Sequence, residues 1–166
     1  ISACLVGSEM CIRDRSEAEV MKGFTHIHQR AQNIIRHGKN WKLWVLCDRD
    51  PTERWIDGRV ALLGDAAHPM LQYFAQGACQ AMEDAVCLSH MLGSHPGDHA
   101  TALENYRAQR LPRTARVQLL SRAIGEHIYH PSGEHARLRN AIMGAKSSED
   151  WYRDLAWLYG GTGLQT

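Results

Sequence analysis

The stretch Gly58–Val86, GRVALLGDAAHPMLQYFAQGACQAMEDAV, decides how this chain is read. It opens with RVALLGD, Arg59 to Asp65, a continuous apolar run ending in Gly-Asp, as expected for a strand buried on both faces. A turn of small residues and a polar loop lead into Gly77–Leu92, where Ala78, Ala81, Met82, Ala85, Leu88 and Leu92 recur at helical spacing and predict a helix packed on that strand. Gly64 lets the chain turn without a side chain, Asp65 offers a carboxylate to sugar-alcohol hydroxyls, and Ala66 and Ala67 leave room for backbone to approach a ligand. Pro69 stiffens the crossing. Gly77 begins a helix whose first N–H groups, near Gly77, Ala78 and Cys79, can stabilise negative charge. Taken singly, each residue also suits a plain strand–turn–helix unit in which Asp65 caps a turn and Gly77 permits one. The whole string in this order is more specific than its parts.

Outward from this stretch, the pattern upstream is helical. Ser16 followed three residues later by Glu19 fits a capping box, and Val20, Phe24, Ile27, Ala31, Ile34 and Ile35 continue the period, with Gly23 placed to divide the run and Gly38 to end it. WKLWVLCD, Trp41 to Asp48, is rich in aromatic and branched residues and predicts one strand or two short ones. Downstream, His99 to Ile128 predicts the longest helix, with Leu103, Tyr106, Leu111, Val117, Leu120 and Ile124 on one side and Arg107, Arg110, Arg113, Arg116 and Arg122 on the others. Pro112 should kink or divide it. His135–Ala145 and Glu149–Leu158 predict two short helices before a glycine-rich tail. Two or three strands among five or six helices are too few for a complete α/β sheet, so the expectation is a mostly helical α/β fragment of a larger protein.

Composition narrows the partners. The 166 residues carry 19 basic and 18 acidic side chains for a net charge of +1, spread along the chain, which leaves no electrostatic footprint for nucleic acid or an anionic membrane. Apolar runs fall far short of the roughly 18 residues of a membrane span, and the first residues lack the basic region and cleavage pattern of a signal peptide. The five cysteines form no CxxC pair and read as free thiols of a reducing cytoplasm. Among ten histidines, His26 with His28 and His127 with His130 have no acid or cysteine at ligand spacing, so no metal is expected. Residues 1–15, ISACLVGSEMCIRDR, have no clear periodicity and read either as a foreign leader or as an edge strand. Residues 16–57 are expected to end a substrate domain and return to a cofactor domain, 58–95 to form the ligand-contacting strand–loop–helix, and 96–166 the carboxy-terminal helices.

Gly64-Asp65, Ala66-Ala67-His68-Pro69, the turn at Gly77 and the later Glu83-Asp84-Ala85 resemble, in order and spacing, the flavin-contacting motif of the single-component FAD-dependent aromatic hydroxylases. The resemblance implies the carboxy-terminal part of a Rossmann-like FAD-binding domain with two or three strands and a long helix. It implies that Gly64, Asp65, Pro69, Gly77, Ala78 and Cys79 contact FAD, with Asp65 on the ribityl hydroxyls and the helix start at the pyrimidine edge of the ring. Gln72 would face the substrate side of the ring as the residue able to relay a phenol's proton, with Leu71 and Tyr73 beside it as pocket walls. Two positions depart from the commoner wording of the family loop: Ala75 stands for its first glycine and Cys79 for its asparagine, and at both backbone rather than side chain would contact the flavin.

The segments NWKLWVLCDRDP, LQYFAQGACQAMEDAVCL, YRAQRLPRTARVQLLSRAIGEHIYHPSG and DWYRDLAWLYGGTG are similar to 3-hydroxybenzoate 6-hydroxylases within that family, and salicylate hydroxylases share the flavin motif and the R-x-x-R stretch. The implied reaction uses NADH and oxygen to hydroxylate a small aromatic acid, 3-hydroxybenzoate giving gentisate, in a homodimer without stable membrane insertion. The family's phosphate-binding GxGxxG is not in this stretch, which implies a fragment inactive alone. The competing class is a helical interaction module built on the long amphipathic helix, which would have no use for the Gly64–Ala85 string.

Overall fold

The computed structural model describes residues 12–164, and the chain divides into two compact units between Cys47 and Asp48. The first contains β1 (Ile12–Asp14), α1 (Glu17–Lys22), α2 (Gln29–Arg36) and β2 (Lys42–Trp44). The capping box forms as the sequence predicts: Glu19 N donates to Ser16 Oγ at 3.3 Å and Ser16 N donates to the Glu19 carboxylate at 2.9 Å. Gly23 caps α1 and so divides the helical run. A Cβ at Gly38 would come within 2.1 Å of the Trp41 ring, so glycine is what allows that ring to fold back over the end of α2. β1 and β2 pair antiparallel with Ile12 opposite Trp44. The predicted strand over 41–48 thus shrinks to three exposed residues with one ladder neighbour. The edge-strand reading of residues 1–15 fits Ile12–Asp14; the rest of that stretch, residues 1–11, lies outside the described residues.

The second unit begins with a minimal hairpin, β3 (Ile56–Asp57) and β4 (Val60–Ala61), with Ile56 opposite Ala61. Single 3-10 turns follow at Gly64–Ala66 and Gln72–Phe74, then α3 (Gly77–Ser94), α4 (His99–Ile124), a widened π turn at Gly125–Tyr129, α5 (Gly133–Gly144) and α6 (Ser148–Tyr159). The run RVALLGD departs from expectation: only two of its residues are strand, Val60 is 66% exposed and Leu63 is exposed as well. Burial on both faces needs ladder neighbours and covering layers, and among the described residues β4 has one two-residue partner.

The helices obey the sequence more closely. Asp98 starts α4 by accepting from Thr101 N at 3.1 Å, and the helix runs unbroken through Pro112. The carbonyl that proline leaves without a donor is that of Ala108, and both residues sit on the exposed side, where water can take the lost bond. The core lies where α3 and α4 cross the hairpin: Trp55, Ala67, Cys87 and Tyr106 are buried together. Tyr106 donates its hydroxyl to Leu62 O at 3.1 Å, and burial pushes that hydroxyl's pKa up, so it stays a donor.

The turn Gln72–Phe74 ends at Ala75, whose φ of 53° lies in the left-handed region. A Cβ there costs roughly 1–2 kcal/mol that glycine does not. Ala75→Gly is therefore expected to raise stability by about 1 kcal/mol, after the glycine's extra unfolded-state entropy is set against the relieved strain, read as an upward shift of the urea midpoint with an unchanged slope.

Candidate functional site

The acids of α3 organise the second unit. Asp84, 0% exposed, accepts from Gly64 N at 3.0 Å, from His68 Nε2 at 2.6 Å and from Arg110 Nε at 2.7 Å. Arg110, also 0% exposed, spends its other donors on Glu83 at 2.6 Å and on Gln80, at 3.2 Å to its carbonyl and 2.8 Å to its side-chain oxygen. Glu83 takes two further bonds from Arg113, whose remaining donors close the carbonyls of Trp157 and Leu158 at the end of α6. Burial works against ionisation of Asp84, but the bonds from His68, Arg110 and the Gly64 N–H outweigh it and hold its pKa below the ordinary value. Glu83 behaves alike, with Arg113 and Arg110 overcoming its burial. His68 Nε2 faces the Asp84 carboxylate, and its Nδ1 is buried with no partner among the described residues.

The turn after β4 is gripped from the other side too. Arg49 donates to the carbonyls of Ala66 and Ala67. Its own carbonyl and that of Pro69 accept from Gln118 at 3.0 and 3.1 Å, while Asp48 and Asp50 pair with Arg122. Gly64 and the turn to Pro69 are thus fixed between α3 and α4. Gly64 itself has φ +59°, and a Cβ on it would stand 3.1 Å from the Ala81 side chain, so glycine is required both by backbone conformation and by helix approach.

What this scaffold leaves outward is short and polar. Asp65 is exposed, and its carboxylate has no protein partner among the described residues. A Cβ on Gly77 would lie at an ordinary 3.7 Å from Asp65 Oδ1, so the acid and the start of α3 are neighbours. Nothing in the chain's own packing demands glycine there, and the room it leaves lies beside an unpaired carboxylate. Gln76 provides no side-chain cap, and the first helical bond runs from Gln80 N to Gln76 O at 2.9 Å. The N–H groups of Gly77, Ala78 and Cys79 therefore have no acceptor within the helix, with Ala78 and Cys79 exposed. A hydrogen-bond acceptor thus stands beside backbone donors that suit negative charge.

The other predicted positions separate. Pro69 is half-buried on the α4 side, where its carbonyl takes the Gln118 bond. Gln72 is exposed with an unpartnered side chain, and Leu71 is half-buried. Tyr73 turns instead to the segment after α4, its hydroxyl 2.7 Å from His130 Nε2. The expected sorting of α4 into an apolar side and an arginine side fails at Arg110, which is at the centre of the buried network. The sequence reading missed His68, Arg49, Arg110 and Gln118 as supports of the site. The available signal was the Glu83-Asp84 pair inside an otherwise apolar helix, since buried acids demand cationic partners, with Arg110 and Arg113 one turn apart to supply them.

Replacing Arg110 by methionine keeps the volume and takes the guanidinium from the buried Asp84 carboxylate, while Glu83 keeps Arg113, so Arg110→Met is expected to lower stability by about 3–5 kcal/mol in urea unfolding at neutral pH. Because Asp84 and Glu83 have depressed folded-state pKa values, their contribution is complete above the ordinary carboxylate range near pH 4 and is lost as pH falls through the folded values. The gap between wild type and Arg110→Met should accordingly narrow on acidification below about pH 4, and a gap that stays constant would count against the ion-pair account.

Comparison with known proteins shows the family. The chain is 51% identical over 142 residues to 3-hydroxybenzoate 6-hydroxylase 1 of Aquipseudomonas alcaligenes, covering 86% of this chain and 36% of that protein. It is 42% identical over 152 residues to 3-hydroxybenzoate 6-hydroxylase of Klebsiella oxytoca, covering 92% and 38%. Its fold matches a salicylate hydroxylase substrate complex with a TM-score of 0.71 at 31% identity over 90% of this chain and 36% of that one. It also matches HpxO of Klebsiella pneumoniae complexed with FAD and uric acid, TM-score 0.72 at 27% identity over 84% and 36%. The chain thus spans little more than a third of the length of these relatives. Residues 13–121 match the FAD binding domain family, a span that includes the Gly64–Pro69 turn, the start of α3 and the Asp84–Arg110 network, and the chain belongs to that family.

Proposed function

We propose that this chain is the flavin-contacting, carboxy-terminal part of an aromatic hydroxylase that uses NADH and oxygen to convert 3-hydroxybenzoate to gentisate, and that it needs the remainder of such an enzyme to turn over. The observation that carries the reading is the juxtaposition of the unpaired Asp65 carboxylate with the uncapped start of α3 at Gly77. What the flavin supplies when bound is the two-electron chemistry that couples NADH oxidation to reduction of oxygen, one oxygen atom entering the ring and the other leaving as water. The chain's own residues bind and orient. Asp65 accepts hydrogen bonds from the ribityl hydroxyls, and the N–H groups of Gly77, Ala78 and Cys79 stabilise negative charge at the pyrimidine edge. The exposed amide of Gln72 is the group for the substrate's phenol: its oxygen accepts a hydrogen bond from the hydroxyl and orients it, with the proton leaving to water as the ring becomes electron-rich. The names of the relatives favour 3-hydroxybenzoate as substrate. The reading extends to a cytoplasmic homodimer; no helix among the described residues is long and apolar enough to cross a membrane.

The test is a chimera that joins this chain to the amino-terminal part of the Aquipseudomonas alcaligenes relative, followed by NADH consumption and product identification with 3-hydroxybenzoate and with salicylate. Gentisate from 3-hydroxybenzoate is expected, with Asp65→Ala weakening flavin retention by roughly tenfold or more, the scale of a charge-assisted hydrogen bond. Catechol from salicylate would overturn the substrate and keep the chemistry. A colourless, folded chimera would favour the helical interaction module.

A further inference from the structure

Gln72 has no partner of its own, so something else must fix the direction in which it points. The turn that carries it, Gln72–Phe74, closes on one backbone bond, Ala75 N to Gln72 O at 2.8 Å, and exchanges no ladder or helix bonds with its neighbours. Its anchors are side chains. Tyr73 donates to or accepts from His130 Nε2 at 2.7 Å, and the two rings meet edge to face with centroids 5.3 Å apart. The Tyr129 ring lies at the same centroid distance, 5.3 Å, tilted at 38°. Beneath the ring lies Gly125: a Cβ there would come within 2.4 Å of Tyr73, so this glycine makes the seat. All three partners belong to the segment where α4 widens into the π turn Gly125–Tyr129, with His130 closing it by donating its N–H to Gly125 O at 3.1 Å. Such widened turns replace regular helix where a side chain must be aimed elsewhere.

The next residues are held as well, by α6. Phe74 meets the Trp157 ring edge-on at 6.2 Å, and Gln76 donates to the Tyr159 hydroxyl at 3.2 Å. Trp157 is itself covered by the Arg116 guanidinium 3.9 Å above its ring. Within the turn, then, Tyr73 and Phe74 are half-buried against neighbouring side chains, while Gln72 is exposed.

We propose that His130 is a positioning residue: through its hydrogen bond to Tyr73 it seats the turn that carries Gln72, and so sets how the site meets the phenol of an aromatic acid. The inference rests on the reading of Gln72 as the substrate-facing residue. It assigns a share in substrate recognition to a segment 58 positions further along the chain than Gln72.

The experiment uses the flavin-loaded chimera in three variants. His130→Phe keeps a ring and drops the hydrogen-bonding nitrogen, His130→Gln keeps a side chain that can donate or accept, and Gly125→Ala unseats Tyr73 without replacing His130. Backbone hydrogen exchange over residues 70–76 reads the seating directly; KM for 3-hydroxybenzoate and the fraction of NADH that yields hydroxylated product read its consequence. His130→Phe and Gly125→Ala are expected to speed exchange in that segment and raise KM, each by roughly three- to tenfold, the range of one lost hydrogen bond, with flavin content unchanged. His130→Gln should return both readouts toward wild type. Wild-type exchange in both disruptive variants would overturn the inference, and so would faster exchange with unchanged KM and unchanged product yield, which would leave the contact merely structural. A wild-type chimera that holds flavin but hydroxylates neither acid would fail the functional reading first, visibly and without any variant, and would take the inference with it.

Discussion

The pair formed by Asp84 and Arg110 is the contact on which the second unit turns. Both are removed from water, and two bare charges in a protein interior would cost far more than their attraction returns. They are tolerated because each charge is paired and hydrogen-bonded on several sides: Asp84 collects a backbone N–H, an imidazole and a guanidinium, and Arg110 divides its donors between Asp84, Glu83 and Gln80. Geometry this complete acts as a set of distance restraints. It fixes the turn at Gly64 relative to α3 and both relative to α4, and leaves no freedom for the strand end to drift from the helix start. The outward pair of Asp65 and Gly77 inherits its spacing from that inner one.

The division of labour explains why the motif looks as it does. Adjacent acids on α3 face the interior and carry structure, while the acid on the turn, Asp65, is left without a protein partner. A buried carboxylate that already accepted three bonds would have little left to offer a ligand. By resting the scaffold on Asp84, Glu83, His68 and Arg110, the fold keeps Asp65 uncommitted.

Much of this was legible from the residues. The helical spacing after Gly77, the capping box at Ser16 and the break at Gly23 are local signals set by short-range sterics and hydrogen bonding, and they appear where the sequence places them. The apolar run before Gly64 was read as a strand buried on both faces because composition reports the need for cover and not its presence. Arg110 escaped for a different reason. The buried stripe of α4 runs Ala102, Leu103, Tyr106, Arg110, Thr114, Val117, Gln118 and Ser121, a regular helical spacing whose later positions are mostly polar. A rule that assigns apolar residues to the inside and arginine to the outside misplaces that half, because the surface it faces is itself polar, made of Glu83, Asp84 and the carbonyls of Arg49 and Pro69. Tyr73 was illegible because its partners, Gly125, Tyr129 and His130, lie on a turn that regular helical periodicity does not describe.

The exposed remnant of that apolar run has a consequence for handling the molecule. Val60, Leu63, Met82 and Val86 present carbon to solvent, and β4 is paired along one edge only among the described residues. An uncovered hydrophobic edge is a template on which another strand can add. Purified as it stands, the chain would be colloidally fragile: its self-association should grow with concentration and with salts that favour apolar burial, with no need of unfolding.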